Sequence, residues 1–255
     1  MSSQSAKRDL LLLMRSFGDP ANDLVILAEG NASSRIDDQA FWVKASGKSM
    51  RDIGPDDVLA VQIVPVLDAM RSFAPSDEFV KQVLRDSKLE ESSSQMPSVE
   101  TFMHAALLSL QGINVVGHTH PTPLVSLLCH PNCAEMATQR LFPDEVVCCG
   151  PETCYVEYCD PGVPLANAVR RKAEAYMKTY GEPPKTIWLQ NHGLVCLGSS
   201  AKQVEAATMM ATKAAKIWLG VLATGKKPVL LSQQAIARIH ERPDEHYRQR
   251  ELAKS

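Results

Sequence analysis

The chain has 255 residues, 45% hydrophobic and 22% charged, a globular composition that excludes general disorder. At this length folding can bury roughly 70–75% of the surface the unfolded chain exposes, so no covalent staple is needed. Twenty-seven Lys+Arg against 29 Asp+Glu leave a formal charge of −2 without any block of like charge, which argues against a dedicated nucleic-acid or anionic-membrane binder.

The opening residues place Leu10, Leu13, Met14 and Phe17 on one helical face, with Gly18 as the stop. Only five apolar residues run together there, Leu10 to Met14, and no stretch approaches the ~20 that a membrane helix needs. With seven cysteines and no secretory pattern, a soluble protein of the reducing cytoplasm is expected. The short apolar run Leu24 to Leu27 leads into a small, polar loop from Glu29 to Arg35. Phe41 to Lys44 and Val58 to Val64 read as strands, joined through Ser46-Gly47-Lys48-Ser49 and the turn Gly54-Pro55-Asp56-Asp57. Residues 76–90 read as a surface helix, followed by the polar stretch Glu90 to Gln95.

A further helix is expected from Pro97-Ser98-Val99-Glu100, with Ser98 as N-cap and Phe102, Ala105, Ala106 and Leu110 facing inward. Ile113 to Val116 is a strand leading into Gly117-His118-Thr119-His120, and Val146 to Cys149 and Tyr155 to Tyr158 are further strand candidates. Pro164 to Tyr180 carries helical spacing closed by Gly181; Ile187 to Leu189 is a strand running into Gln190-Asn191-His192-Gly193. A long helix follows, opened by a Ser200/Gln203 capping box. The interleaving predicts one layered α/β domain over residues 1–255, with strand order open.

His118 and His120 are the most informative residues. Positions i and i+2 of a strand share a face, so their imidazoles can converge on one ion. Two histidines do not make a zinc site, and His192, beside a glycine, is the natural third ligand. By itself an H-x-H is more often a pair of surface or packing histidines. No P-loop or G-x-G-x-x-G is present, so a bound nucleotide has no support. Cys148-Cys149, Cys154 and Cys159 lack C-x-x-C pairing and read as reduced, largely buried small hydrophobes.

Four blocks occur in one order: G-N-A-S-S-R, K-A-S-G-K-S, P-S-V-E-T-F-M-H with V-V-G-H-T-H, and Q-N-H-G-L. In that order the chain resembles the class II aldolase/adducin family over roughly residues 10–235. The resemblance implies a three-layer α/β/α fold around a mixed, mostly antiparallel sheet. It implies Zn2+, or another divalent metal such as Mn2+ or Co2+, on His118, His120 and His192, with Glu100 as the catalytic acid/base. The implied reaction is reversible retro-aldol cleavage of a ketose phosphate or related sugar acid through a zinc-stabilised enediolate. A sugar-phosphate 4-epimerase and a β-keto sugar-acid-phosphate decarboxylase would use the same chemistry. A non-catalytic, adducin-like interaction module is the alternative from another class.

The family's anion loops correspond to Gly30, Asn31 and Ser33, to Ser46 and Gly47, and to Ser98. Gly-containing turns and serine hydroxyls offer several donors in a small concavity, although such turns are also common without a ligand. Val99 departs from the pattern by replacing a second serine, and Lys48 is a candidate compensating charge. His104, one turn after Glu100, stays outside the metal shell; support of the site by hydrogen bonding and a structural role are both open. A homotetramer is implied, in which the C-terminal Tyr247 would reach a neighbouring active site as proton donor. The expected partners are a small sugar phosphate or sugar acid, with neither nucleic acid nor membrane.

Overall fold

The structure, a computed structural model, describes residues 3–72 and 76–242. Seven strands form one sheet: β1 (Asn31–Arg35), β2 (Ala40–Lys44), β3 (Val58–Gln62), β4 (Val115–Thr119), β5 (Cys154–Val156), β6 (Thr186–Leu189) and β7 (Gly193–Gly198). Their order across the sheet is β3-β2-β1-β4-β7-β6-β5. Every pair is antiparallel except β5 with β6.

Alternation along the strands sorts the apolar residues into two cores. Val116, Ile187, Leu189, Val195 and Leu197 face one cluster; Val115, Trp188, Leu194 and Cys196 face the other. The first is covered by α2 (Ile63–Ala69), α3 (Asp77–Asp86), α4 (Thr101–Leu108) and α8 (Val163–Tyr180). The second is covered by α1 (Ser3–Phe17), α5 (Thr122–Leu128), α6 (Cys133–Ala137), α7 (Pro143–Cys149) and α9 (Ala201–Leu222). A last helix, α10 (Gln233–His240), contacts α7. The result is the three-layer α/β/α arrangement around a mixed, mostly antiparallel sheet.

Several expectations need correction. Glu29 to Arg35 is not all loop: from Asn31 onward it is β1, paired between β2 and β4. Its small polar residues lie where hydrophobic ones are usual because Asn31 and Ser33 hydrogen-bond across to α4. Val146 to Cys149 lies in the helix α7, whose start is marked by Pro143 in the first turn followed by Asp144 and Glu145, a pattern that favours a helix N-terminus. The run Val58 to Val64 leaves the sheet at Gln62, and Pro65, which cannot donate to a strand ladder, sits harmlessly in the first turn of α2. Helix α4 starts at Thr101, so Ser98 is not its N-cap; Pro97 instead bridges to Ala45. Strand β7, unassigned from sequence, completes a hairpin with β6 across Gln190–His192, with Asn191 at φ 54°.

Other expectations match. Gly181 closes α8 in the left-handed conformation, and Ser200 caps α9 by accepting from the Gln203 N–H. Ser76 caps α3, and the chain beyond it runs back along the outer edge of the sheet through Gln62 N to Ser87 O and Leu89 N to Ala60 O. Lys88 then pins the polar stretch by donating to the carbonyls of Ser93 and Gln95. This segment covers the β3 edge, which would otherwise offer unpaired backbone groups. All seven cysteines are free thiols, four of them buried.

Helix α4 is buried on every side, including Leu107 at 0% exposure. Replacing Leu107 by alanine is expected to cost ~2–5 kcal/mol, from lost burial plus the cavity left behind. Equilibrium denaturant unfolding reads this directly.

Candidate metal centre

Three histidines from one strand and its end and from a hairpin turn converge. His118 lies in β4, His120 follows that strand's end, and His192 sits in the β6–β7 turn. Their candidate ligand nitrogens lie within 4.8 Å of one another, and His118 Nε2 is 3.0 Å from His120 Nε2. Nitrogens on a tetrahedral zinc at ~2.0 Å bond lengths would be ~3.3 Å apart. The outward nitrogens are already engaged: His118 Nδ1 with the Leu194 carbonyl at 3.0 Å, and His120 Nδ1 with Glu29 Oε2 at 3.1 Å. Such outer bonds leave the inner nitrogens free to bind an ion and orient the rings. The donor set therefore fits a divalent ion of the zinc type.

Glycine makes the convergence sterically possible. A Cβ on Gly193 would lie 2.6 Å from His120 Cδ2, 2.6 Å from the Thr119 carbonyl oxygen and 3.3 Å from His118 Cε1. Gly30, at φ +65°, approaches the His118 carbonyl in the same way, at 2.7 Å from a notional Cβ. Both positions admit only glycine without displacement of a strand.

Glu100, at the entry to α4, points its carboxylate into this cluster. Oε1 is 3.3 Å from His118 Nε2 and 3.1 Å from His192 Nε2, while Oε2 accepts from Asn31 Nδ2 at 2.6 Å. Burial alone would raise the Glu100 pKa, but His118 and His192 outweigh it and hold the carboxyl well below the usual carboxylate range. Burial likewise favours a neutral His118, yet the charge and hydrogen bond of Glu100 prevail and its pKa is raised. His120 is pushed down to about 4, first by burial and then by His118 and His192, against the pull of Glu29. His104, fully buried, is pushed down to about 3 by burial and by His118, with Glu100 opposing.

The structure brings His118, His120, His192 and Glu100 together as a group. The anion loops are arranged differently from expectation. Ser33 is fully buried and its hydroxyl is bonded to His104 Nδ1 at 2.6 Å, and Asn31 is committed to Glu100 and His104, so neither side chain is an open anion donor. Ser46 and Gly47 are exposed in the turn after β2, and Ser46 N donates to Met96 O, which joins that turn to the segment carrying Ser98. The Ser98 hydroxyl is buried without a hydrogen-bond partner. Lys48 does not supply a free charge; its ammonium lies 2.7 Å from Asp57. Tyr247 lies outside the described residues.

Two residues went unremarked in the sequence. Glu29 orients His120, and Lys44 joins the first two loops by donating to the carbonyls of Ala28 and Lys48. Burial lowers Lys44 to about 8, against the field of Glu100. The available signals were a glutamate just before Gly-Asn and a lysine ending an otherwise apolar strand.

The family described as Class II Aldolase and Adducin N-terminal domain matches residues 8–219. The chain belongs to the class II aldolase/adducin family. Among solved structures, YgbL of Klebsiella pneumoniae, described as a candidate aldolase/epimerase/decarboxylase, superposes with a TM-score of 0.71 at 18% identity, covering 94% of this chain and 99% of that one. An L-fuculose 1-phosphate aldolase superposes with a TM-score of 0.69 at 19% identity, covering 94% and 97%. An uncharacterized oxidoreductase of Bacillus subtilis, YuxG, is 23% identical over 181 residues, 68% of this chain. The chain spans only 24% of that relative's length.

Two outcomes test the centre. Gly193→Ala forces the new methyl into His120 and the Thr119 carbonyl, and zinc affinity is expected to fall by at least ~10-fold, read as metal per chain after dialysis against a competing chelator. The second concerns pH. His118 has a raised pKa, so its charged pairing with Glu100 stabilises the metal-free protein at low pH and is lost as pH rises through that value. Metal binding requires the neutral ring, so the zinc-induced gain in Tm should grow as pH rises through and beyond the ordinary histidine range. Thermal melts with and without zinc across that range check the sign.

Proposed function

We propose that the chain is a metal-dependent carbon–carbon lyase that cleaves a ketose phosphate or related sugar acid by a reversible retro-aldol reaction. The observation that carries this reading is the Glu100 carboxylate, buried 3.1–3.3 Å from ring nitrogens of two of the three converging histidines. His118, His120 and His192 would hold the ion, which when bound supplies Lewis-acid stabilisation of the negative charge developing on the substrate oxygens. Zinc is the ion proposed, with manganese or cobalt serving the same chemistry.

Glu100 is the proton carrier. Cleavage moves the C3–C4 electron pair toward the C2 carbonyl as the C4 hydroxyl proton leaves, giving an aldehyde and an enediolate. A proton returned to C3 completes the ketone product. In the condensation direction ionised Glu100 takes the C3 proton, and Tyr247 of a neighbouring subunit is proposed as the donor to the aldehyde oxygen. In cleavage both roles reverse, Tyr247 taking up the C4 hydroxyl proton and protonated Glu100 returning one to C3. The anionic end of the substrate is assigned to the Gly30–Asn31 backbone, Ser46, Gly47 and Ser98, with the Lys44 charge behind them. The buried, unpartnered Ser98 hydroxyl supports this placement. A cytoplasmic homotetramer is part of the same proposal. The exposed Ile26 and Leu27, three and two residues before Glu29, are apolar surface that a neighbouring subunit would cover.

The test is zinc-loaded protein incubated with L-fuculose 1-phosphate and other ketose 1-phosphates, with products resolved by mass spectrometry and NMR. Two fragments, dihydroxyacetone phosphate and an aldehyde, are expected. One inverted stereocentre would instead identify an epimerase, and carbon dioxide from a β-keto acid phosphate a decarboxylase. Glu100→Gln should lower turnover ~10²–10⁴-fold while retaining zinc. Failure of the wild-type chain to retain any divalent ion would favour the non-catalytic module.

A further inference from the structure

Glu100 does not stand alone against the histidines. Behind it runs a chain of side chains that contact no candidate ligand atom: Glu100 Oε2 with Asn31 Nδ2, Asn31 Oδ1 with His104 Nε2, and His104 Nδ1 with Ser33 Oγ. The chain is built from two interlocking periodicities. Asn31 and Ser33 are i and i+2 on β1 and share a face; Glu100 and His104 are one helical turn apart at α4, where His104 N also donates to Glu100 O. Register completes the arrangement, because Asn31 is paired directly opposite His118 across β1 and β4. Asn31, Ser33 and His104 are 3%, 0% and 0% exposed, so water does not compete for these bonds.

Hydrogen-bond polarity along the chain follows from its end. An ionised carboxylate only accepts, so Asn31 must turn its NH2 toward Glu100 and its carbonyl toward His104. A carbonyl oxygen also only accepts, so His104 must carry its proton on Nε2. Its Nδ1 then has a lone pair, and the Ser33 hydroxyl donates to it. Reversing any member would set two acceptors face to face in a site with no water to relieve them.

We propose that His104 is a positioning residue for Glu100: its Nε2–H orients the Asn31 amide, and that amide holds Glu100 Oε2, leaving Oε1 as the oxygen presented to substrate. This assignment rests on Glu100 being the proton carrier. It gives the histidine a defined task, which packing alone would not require of an imidazole.

The first measurement is the His104 tautomer in zinc-loaded wild-type protein, read from long-range 1H–15N correlations of the imidazole. The Nε2–H tautomer is expected; an Nδ1–H tautomer or a charged ring overturns the proposal. The second compares His104→Gln with His104→Asn. Glutamine places an amide N–H near the original Nε2 and can still donate to Asn31, whereas asparagine is too short to do so. His104→Gln should keep the Asn31–Glu100 bond in a zinc-loaded crystal structure and retain most of the turnover of the ketose phosphate. His104→Asn should lose that bond and lower kcat ~10–100-fold, with KM little changed and zinc retained. Equal losses in both variants, tracking thermal stability, would show a packing role and overturn the assignment. Wild-type turnover in both would do the same. If Glu100→Gln itself leaves turnover intact, the lyase reading fails, while the tautomer and the crystal structures still report on the chain of bonds.

Discussion

The structure depends most on one buried carboxylate. Glu100 is held between ring nitrogens of the sheet and an amide from the adjacent strand, in surroundings where an unpaired charge would be very costly. Both oxygens are therefore matched, one to His118 and His192 and the other to Asn31. That requirement explains why β1 carries asparagine and serine in a central strand position, and why a wholly buried helix carries a histidine. Asn31, Ser33 and His104 form one connected set with Glu100.

Steric constraint supplies what electrostatics cannot. The three rings come from elements that meet only because Gly193 and Gly30 lack a Cβ where neighbouring strands and rings pass. His118 and His120 are brought side by side by β4, and the tight hairpin between β6 and β7 swings His192 over them. The two cores on opposite faces of the sheet hold that geometry from behind. On the α4 side the core also fixes the height at which Glu100 enters the cluster.

Much of the site was legible because its chemistry forces particular residue types at short spacings. His118-Thr119-His120 announces itself through strand alternation, and P-S-V-E together with N-H-G carries the resemblance to the family. Glu29 and Lys44 were not legible, since a single glutamate or lysine beside a turn has no distinguishing period. Ser33 and Lys48 are bonded in ways their residue types did not announce. Their residue types suit an anion loop, but one hydroxyl is consumed by His104 and one ammonium by Asp57. In the fold, α7 and β1 were mistaken because a short apolar run and a short polar run each fit two conformations, and only their neighbours select one.

The sequence by itself determined the family, the layered α/β class and the identities of the converging histidines and glutamate. The layered class follows from periodicity and turn residues and the His118/His120 pair from strand alternation, whereas Glu100 and the complete ligand set follow from the ordered motifs that resemble the family. Tertiary structure decided the strand order, the hairpin that delivers His192, and the bonds from Ser33 through His104 and Asn31 to Glu100. Those contacts join residues some 70 positions apart, as in Ser33 with His104 and Asn31 with Glu100. No local pattern encodes such a pairing. It arises when β1 takes its register against β4 and α4 packs across both, because only then do buried donors and acceptors have to find one another.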